Sequence, residues 1–374
     1  MVLNLKKNTP ANICFIASHF PQGGAERQIL ELIKGLLKKE YKVTLILYQS
    51  DKIFYKEILE LDIKLILNKD KTSNNIFFKW INNIVFLRKN LKNKSFEILH
   101  TYLFFNGLIV RIFAPNRFIG KIIYSIRNSY ESVSKLYFVS DRLLNRFSIN
   151  IYNSKKSLEQ LFTKPSKSIL KNNFVIYNGY DTNKFCVKEK KTNKILTIGM
   201  VGRLTFQKNQ IQALRVLNKI KNETDLRFKI YLIGDNTKYE ALEIKKYISK
   251  NLIEESILLE AQKEIQEYYR LFDLFLLPSL YEGCPNVLFE ALLTKCLCIV
   301  SEGANSDSFI KDRINGFVYD GSDKDFEKKL NDVISLIRQK GHLDIVSNGY
   351  NYASQNFSTT QMIENYHNVY QTIR

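Results

Sequence analysis

Residues 273–301 read DLFLLPSLYEGCPNVLFEALLTKCLCIVS. The apolar run Leu274 to Leu277 stops at Pro278 and predicts a buried strand. A polar turn follows from Ser279 to Asn286 and holds Gly283 and Pro285. Val287, Leu288, Ala291 and Leu292 then recur at helical spacing, which starts a helix near Asn286. A second apolar run, Cys296 to Val300, predicts the next strand. Strand, turn, helix, strand is the unit of a parallel sheet, and such sheets bind ligands at the turns that follow their strands.

Two carboxylates flank this turn. Glu282 lies in the loop and Glu290 eight positions later, in the helix. A carboxylate accepts two hydroxyl hydrogen bonds, which suits a ribose or sugar diol. An acidic residue near a helix start is also favoured by the helix dipole alone.

The same pattern precedes the stretch. Ile195–Val201 predicts a strand, Gly202-Arg203-Leu204-Thr205-Phe206-Gln207-Lys208-Asn209 a turn, and Gln210–Ile220 a helix. Arg203 and Lys208 bracket the turn, and with the helix amides they form a diphosphate site. Phe228–Gly234 is a further strand and turn. In the first half, strands are predicted at Ile13–Ala17, Val43–Leu47, Ile63–Ile66, Phe96–His100, Ile122–Ile126 and Ile149–Tyr152. The clearest helices are Ala25–Lys39, Ile76–Lys92 and Ser132–Arg146. After the first strand, Gly23 and Gly24 precede a helix, where paired glycines let backbone amides approach an anion. His100 ends another strand and is the best placed of the four histidines. Ser125-Ile126-Arg127-Asn128 ends a later strand, and Ser154 is a helix N-cap.

Length and composition bound the reading. A chain of 374 residues exceeds a typical single core, so two domains are expected. The division expected is 1–185, completed by about 358–374, and 186–357, with Lys184–Lys194 as linker. No apolar run approaches the ~18 residues of a membrane span. The short run Ile13–Ala17 is a first strand rather than a signal-peptide core. Five cysteines at positions 14, 186, 284, 296 and 298 show no metal-ligand spacing and suit a reducing compartment. The formal charge of +19 is uneven: residues 1–190 carry 32 Lys+Arg against 14 Asp+Glu, and residues 191–374 carry 24 against 23. A basic half and a neutral half imply different partners.

The pattern E-G-x-P-N-x-x-x-E after a strand ending in Pro-Ser closely resembles the E-x7-E signature of the family 4 glycosyltransferases. The run V-G-R-L-x-x-x-K-N from Val201, the G-G-A-E loop at Gly23, the I-x-N-G-x-D segment from Ile176 and the N-G-x-x-V turn at Asn315 resemble the family's motifs in the same order. Tyr102 stands where many members carry the second histidine of H-x-H, and Ala304 and Asp307 depart from G-G-x-x-E. The resemblance implies an α/β protein of two Rossmann-like domains facing across a cleft (GT-B), with a C-terminal helix, including Tyr366–Ile373, crossing back to the first domain. It implies a retaining enzyme that moves a sugar from a nucleotide-diphosphate sugar to a saccharide or lipid-linked acceptor in surface glycan synthesis, with no metal or other cofactor. By the same resemblance Glu282, Arg203, Lys208 and His100 are catalytic. Gly23, Gly24, Glu26, Arg127, Asn128, Gly202, Asn286, Val287 and Glu290, with Arg203 and Lys208, hold the donor.

Two other classes share some of these features. A sugar-nucleotide epimerase has the same architecture without an acceptor. A nucleic-acid binder would suit the net charge, but the basic residues are scattered and no recognition motif occurs, so no specific nucleic acid is expected. Asp323-Lys324-Asp325 spells D-x-D, a metal motif elsewhere, and reads here as a cap and first-turn acid pair. The basic half predicts an anionic membrane surface as partner, with the protein cytoplasmic and peripheral on the inner face. One candidate element is Ile76–Lys92, with Phe77, Ile81, Ile84, Arg88 and Leu91 toward the sheet and Phe78, Val85, Lys89 and Lys92 toward lipid.

Overall fold

Strand β1 (Asn12–Ala17) is apolar without interruption because both of its faces are covered. Ile13, Phe15 and Ala17 enter one cluster of buried side chains, and Cys14 and Ile16 enter another on the opposite face. The computed structural model describes residues 11–20, 23–49, 56–69, 75–127, 129–185, 195–235, 237, 239–252 and 254–373. The chain divides into two compact units, one running to Gly179 and including the segment from Thr359, the other Tyr180–Ser358. Tyr180–Phe185, assigned from sequence to the first domain, therefore belongs to the second unit. Most of the expected linker, from 186 to 194, lies outside the described residues.

In the first unit β1 is followed by α1 (Gly24–Lys38), β2 (Lys42–Leu47), β3 (Lys64–Leu67), α2 (Ile76–Leu91), β4 (Ile98–Tyr102), α3 (Phe104–Phe113) and β5 (Ile122–Ile126). Then come α4 (Lys135–Leu144), β6 (Ile149–Tyr152), α5 (Lys155–Leu161), α6 (Lys167–Leu170) and β7 (Asn173–Val175). Among the described residues these strands form one seven-stranded parallel sheet in the order β3-β2-β1-β4-β5-β6-β7. The order reverses between β1 and β4, the point at which such sheets open a crevice. Ser18 Oγ, just after β1, lies 2.6 Å from Asn106 Oδ1 on α3 and ties the two sides of that point together.

The second unit holds β8 (Leu196–Val201), α7 (Gln210–Glu223), β9 (Phe228–Ile233), α8 (Glu240–Asn251), β10 (Ser256–Leu259), α9 (Ile265–Tyr269) and β11 (Leu274–Leu277). It continues with α10 (Asn286–Leu293), β12 (Leu297–Ser301), β13 (Phe317–Tyr319), α11 (Asp323–Arg338) and α12 (Leu343–Asn356). Its sheet, among the described residues, is six-stranded and parallel in the order β10-β9-β8-β11-β12-β13. Here the order reverses between β8 and β11. The cap of α11 is Ser322, which accepts from the Asp325 amide at 3.2 Å, so Asp323 and Asp325 are first-turn acids and Asp323 is not the cap. Ser154 caps α5 by accepting from the Ser157 amide at 3.1 Å.

The last helix, α13 (Thr359–Gln371), starts earlier than its apolar end suggests and belongs to the first unit. Met362, Tyr366, Val369 and Tyr370 recur at helical spacing and join Ile29, Leu32, Ile33 and Leu36 of α1 in one cluster. Gly35 permits that contact, because a Cβ there would lie 2.1 Å from Ile363 Cδ1. Helix α2 meets the sheet with only part of the expected face: Leu91 is buried, Ile84 is half-buried against the same cluster, and Phe78, Val85, Lys89 and Lys92 are exposed as expected, but Phe77, Ile81 and Arg88 are not turned inward. Leu87 is also fully buried and Asn83 nearly so. The Trp80 ring meets Phe105 of α3 edge-on with centroids 4.8 Å apart. Tyr366→Ala removes a fully buried ring from the α1–α13 cluster. The variant should be less stable by about 3–5 kcal/mol in urea unfolding, the range for buried aromatic truncation.

Candidate active site and family relationship

In the second unit the turn after β8 and the turn after β11 meet at the switch point. Gly202 donates its amide to Ile233 O at 2.8 Å, and the Leu204 amide donates to Asp235 O at 2.9 Å, which holds the β8 turn against the turn after β9. The approach is close: a Cβ on Gly234, whose φ is +156°, would stand 2.1 Å from Gly202 O. The β8 turn ends at Asn209, in left-handed conformation, from which α7 starts. On the other side, Gln207 carries the β11 turn: its carbonyl accepts from the Leu280 amide at 2.8 Å and its side chain donates to Tyr281 O at 3.0 Å. The Glu282 amide donates to Gly303 O at 3.1 Å, and a Cβ on Gly303 would meet Leu280 O at 2.0 Å.

This scaffold brings two of the sequence candidates together. Lys208 Nζ and Glu282 Oε1 form an ion pair at 2.5 Å, both side chains largely shielded from solvent. Arg203, at the start of the same turn, is exposed, and its carbonyl accepts from Gln210 Nε2 at 2.9 Å. Glu290 is buried on α10 and its Oε2 accepts from the Tyr269 hydroxyl at 3.0 Å. The same hydroxyl lies 3.3 Å from Val287 O, so Tyr269 fixes the first turn of α10. Asn286 opens α10 and its Oδ1 accepts from the Tyr180 hydroxyl at 3.0 Å, while the Tyr180 ring stacks on Phe289. Tyr180 and Tyr269 were missed from sequence. Tyr180 sits inside a quoted motif, but Tyr269 precedes β11 with no local pattern that marks it.

The first-unit candidates fall in two places. Gly23 precedes α1 with extended backbone and Gly24 is its first residue. A Cβ on Gly23 would stand 2.2 Å from Glu26 Oε2, so the Glu26 carboxylate lies over the glycine at the amide end of the helix, where negative charge is favoured. His100, in the middle of β4, and Arg127, just after β5, share a buried network. His100 is fully buried; its Nδ1 lies 2.7 Å from Tyr370 Oη and its Nε2 2.8 Å from Ser125 Oγ. Arg127 is buried with neutral partners among the described residues, donating to Asn178 Oδ1 and, at 3.1 Å, to Tyr366 Oη. Its guanidinium carbon stands 5.7 Å from the Tyr102 ring centre. Asn128, the other candidate of this loop, lies outside the described residues. With both ring nitrogens taken by protein hydroxyls, His100 has the geometry of a positioning residue rather than of a group that touches a sugar. Tyr366, Tyr370 and Asn178 complete this network and were missed because they lie far along the chain.

Among the described residues, no group of three or more His, Cys, Asp or Glu is arranged to hold a metal ion.

Residues 181–351 match the family model of the glycosyl transferases group 1, and residues 22–184 match that of glycosyltransferase family 4. The chain belongs to the family 4 glycosyltransferases. The UDP-Gal:alpha-D-GlcNAc-diphosphoundecaprenol alpha-1,3-galactosyltransferase of Escherichia coli is 25% identical over 88% of this chain and 90% of its own length. The N-acetylgalactosamine-N,N'-diacetylbacillosaminyl-diphospho-undecaprenol 4-alpha-N-acetylgalactosaminyltransferase of Campylobacter jejuni is 29% identical over 75% and 78%. Among solved structures, a glycosyltransferase from Rickettsia africae superposes with a TM-score of 0.80 at 18% identity, covering 97% of this chain and 98% of that one. The HepE protein of Anabaena in complex with UDP superposes with a TM-score of 0.76, also at 18% identity, covering 96% and 100%. At such identities the structural likeness shows the fold of this glycosyltransferase.

Burial, and the positive charge of Arg127, hold the His100 imidazole of this glycosyltransferase well below the ordinary value of 6.5. The unfolded chain therefore binds a proton near pH 6.5 that the folded protein refuses. The stability linked to this group is complete above that pH and is lost as pH falls toward the folded value, with a limiting slope of about 1.4 kcal/mol per pH unit. Between pH 7.5 and 5, wild type should lose more unfolding free energy than His100→Gln by on the order of 1–2 kcal/mol. Parallel denaturation profiles for the two proteins would contradict the buried neutral imidazole.

Proposed function

We propose that this glycosyltransferase retains anomeric configuration and transfers a hexose from a nucleotide-diphosphate sugar to a lipid-linked saccharide acceptor, in surface glycan synthesis at the inner face of the cytoplasmic membrane. The observation that carries the donor assignment is the Lys208–Glu282 pair at the switch point of the second sheet, with exposed Arg203 on the same turn. The acceptor class is supported by the Escherichia coli and Campylobacter jejuni relatives, whose names both specify undecaprenol-diphosphate saccharides. The family match supports transfer over epimerisation of the nucleotide sugar.

In this reading Glu282 occupies the Lys208 ammonium until a diphosphate arrives. The incoming diphosphate takes the ammonium, and the released carboxylate accepts hydrogen bonds from sugar hydroxyls. Glu290, held by Tyr269, takes the ribose hydroxyls. The anomeric carbon then loses its bond to the β-phosphate oxygen and gains one to the acceptor oxygen on the same face. The acceptor proton passes to the departing diphosphate. Lys208 and Arg203 stabilise the charge that develops there, preorganised donors being most effective where charge appears only in the transition state. We assign that task to the two cations and to no metal ion.

A panel of UDP-, GDP- and ADP-sugars, scored by thermal stabilisation and by transfer to an undecaprenyl-diphosphate saccharide, tests the assignment. One donor series should stabilise the protein and be consumed, and a lack of response to any would contradict it. Arg203→Ala and Lys208→Ala should lower kcat by roughly 100-fold with a smaller change in donor affinity. Glu290→Ala should weaken donor binding by about 1.5–3 kcal/mol in calorimetry. Activity should persist in EDTA, and its complete loss with rescue by Mg²⁺ or Mn²⁺ would overturn the metal-free reading.

A further inference from the structure

Helix α4 is apolar on two sides: Phe138 packs inward against Tyr130 and its cluster, and a second set of apolar side chains faces out. Asp141 is buried at its core-facing side, while Leu136, Val139 and Leu143, spaced to share the opposite side, are 76%, 52% and 67% exposed. A surface helix ordinarily buries its leucines and exposes its acids. What holds α4 in this orientation is a polar anchor. Asp141 pairs with Arg111 of α3 and accepts from Tyr124 Oη at 3.0 Å and Tyr130 Oη at 2.9 Å. Arg111 in turn donates to Gly107 O at 2.9 Å and stacks over the Tyr124 ring, 4.2 Å from its centre. A buried ion pair contributes little net stability compared with apolar packing. This one leaves the apolar side of the helix free to be used elsewhere.

The exposed side is also basic. Lys135, Arg142 and Arg146 are exposed beside the leucines, and Phe147 adds a further exposed ring. The one acid within α4 is the buried Asp141, and the neighbouring Glu131 is paired with Lys156 at 2.9 Å. Helix α3 packs against both α4 and α2. It carries exposed Ile112, and α2 carries exposed Phe77, Phe78, Ile81 and Val85 with Arg88 and Lys89. Residues 76–130 contain nine Lys and Arg, all but Arg111 and Arg127 outside the buried interior, and one acid, Glu97, which accepts from the Asn12 amide at 3.3 Å.

We propose that the outward side of α4, continued by α2, docks this protein on an anionic lipid bilayer, with Leu136, Val139 and Leu143 entering the acyl boundary and Lys135, Arg142 and Arg146 at the phosphates. Apolar side chains interleaved with cations match a surface that is apolar below and negative above. A second copy of the chain is disfavoured as occupant, because a shared face would set these cations against one another. The proposal identifies the docking element for the membrane-sited acceptor proposed above, and its test reads binding rather than transfer.

The full chain is co-sedimented with phosphatidylcholine vesicles and with vesicles enriched in phosphatidylglycerol, at low and high salt. Wild type should bind the anionic vesicles and lose binding with salt. Leu136→Gln with Leu143→Gln should lower partitioning at least tenfold. Arg142→Gln with Arg146→Gln should lower it roughly 30-fold at low salt, about 1 kcal/mol for each basic residue. Both double variants should keep wild-type donor hydrolysis, so a failed glycosyltransferase assignment and a failed docking assignment give different results. Lack of wild-type binding to anionic vesicles, or binding that the leucine variant leaves intact, would overturn the proposal. So would a wild-type dimer that the leucine variant dissociates.

Discussion

The ion pair between Lys208 and Glu282 joins two turns of the second unit, and the proposed chemistry depends on it. Its partners sit on turns that follow different strands, β8 and β11, and those strands are neighbours only because the sheet order reverses between them. A largely shielded lysine needs a negative partner, and a largely shielded glutamate needs a positive one. Each supplies the other's until a ligand intervenes. The turns that carry them are held by backbone contacts too close for any side chain at Gly234 or Gly303. On the proposed donor assignment the cation is aimed before the ligand arrives, so little binding energy is spent on organising it.

The first unit solves a different problem, how to bury polar groups between β4, β5 and α13. His100, Ser125, Arg127, Tyr366 and Tyr370 are linked by hydrogen bonds across the sheet and α13. The chain's last helix thus contributes hydroxyls to the same end of the sheet that carries Arg127. Asp141 and Arg111 repeat the device nearby with opposite consequence: a charge is taken inside, and an apolar helix side is left outside. In both cases a buried polar network sets the orientation of an element, and apolar packing follows.

The alternation of strands and helices was legible in the sequence because parallel strands buried on both faces read as short apolar runs bounded by turn residues. The motifs at Gly202–Asn209 and Glu282–Glu290 were legible for the same reason, since each sits whole within one turn and the helix after it. Helix α3 was not, because it begins after Leu103 at φ +67° with no capping side chain and no polar break from β4. Strands β7 and β10 are short, and the side chains of β10 are only partly buried, so neither stands out from its surroundings. The face of α2 was legible only in part, Phe77 and Ile81 being exposed where burial was expected, because its apolar residues cover more than one side. Partners such as Tyr269 for Glu290 or Tyr370 for His100 are distant in the chain, and pairing of that kind has no local signature.

We propose that Glu282 and a donor diphosphate exchange places on Lys208. The exchange is tested most directly by calorimetric titration of wild type and Glu282→Gln with the nucleoside diphosphate alone and with the matching nucleotide sugar. The account predicts a crossing: the variant binds the diphosphate more tightly than wild type, because Lys208 is no longer occupied, and gains less or loses affinity for the nucleotide sugar, because the carboxylate for its hydroxyls is gone. Equal or weaker binding of the diphosphate to Glu282→Gln would contradict it.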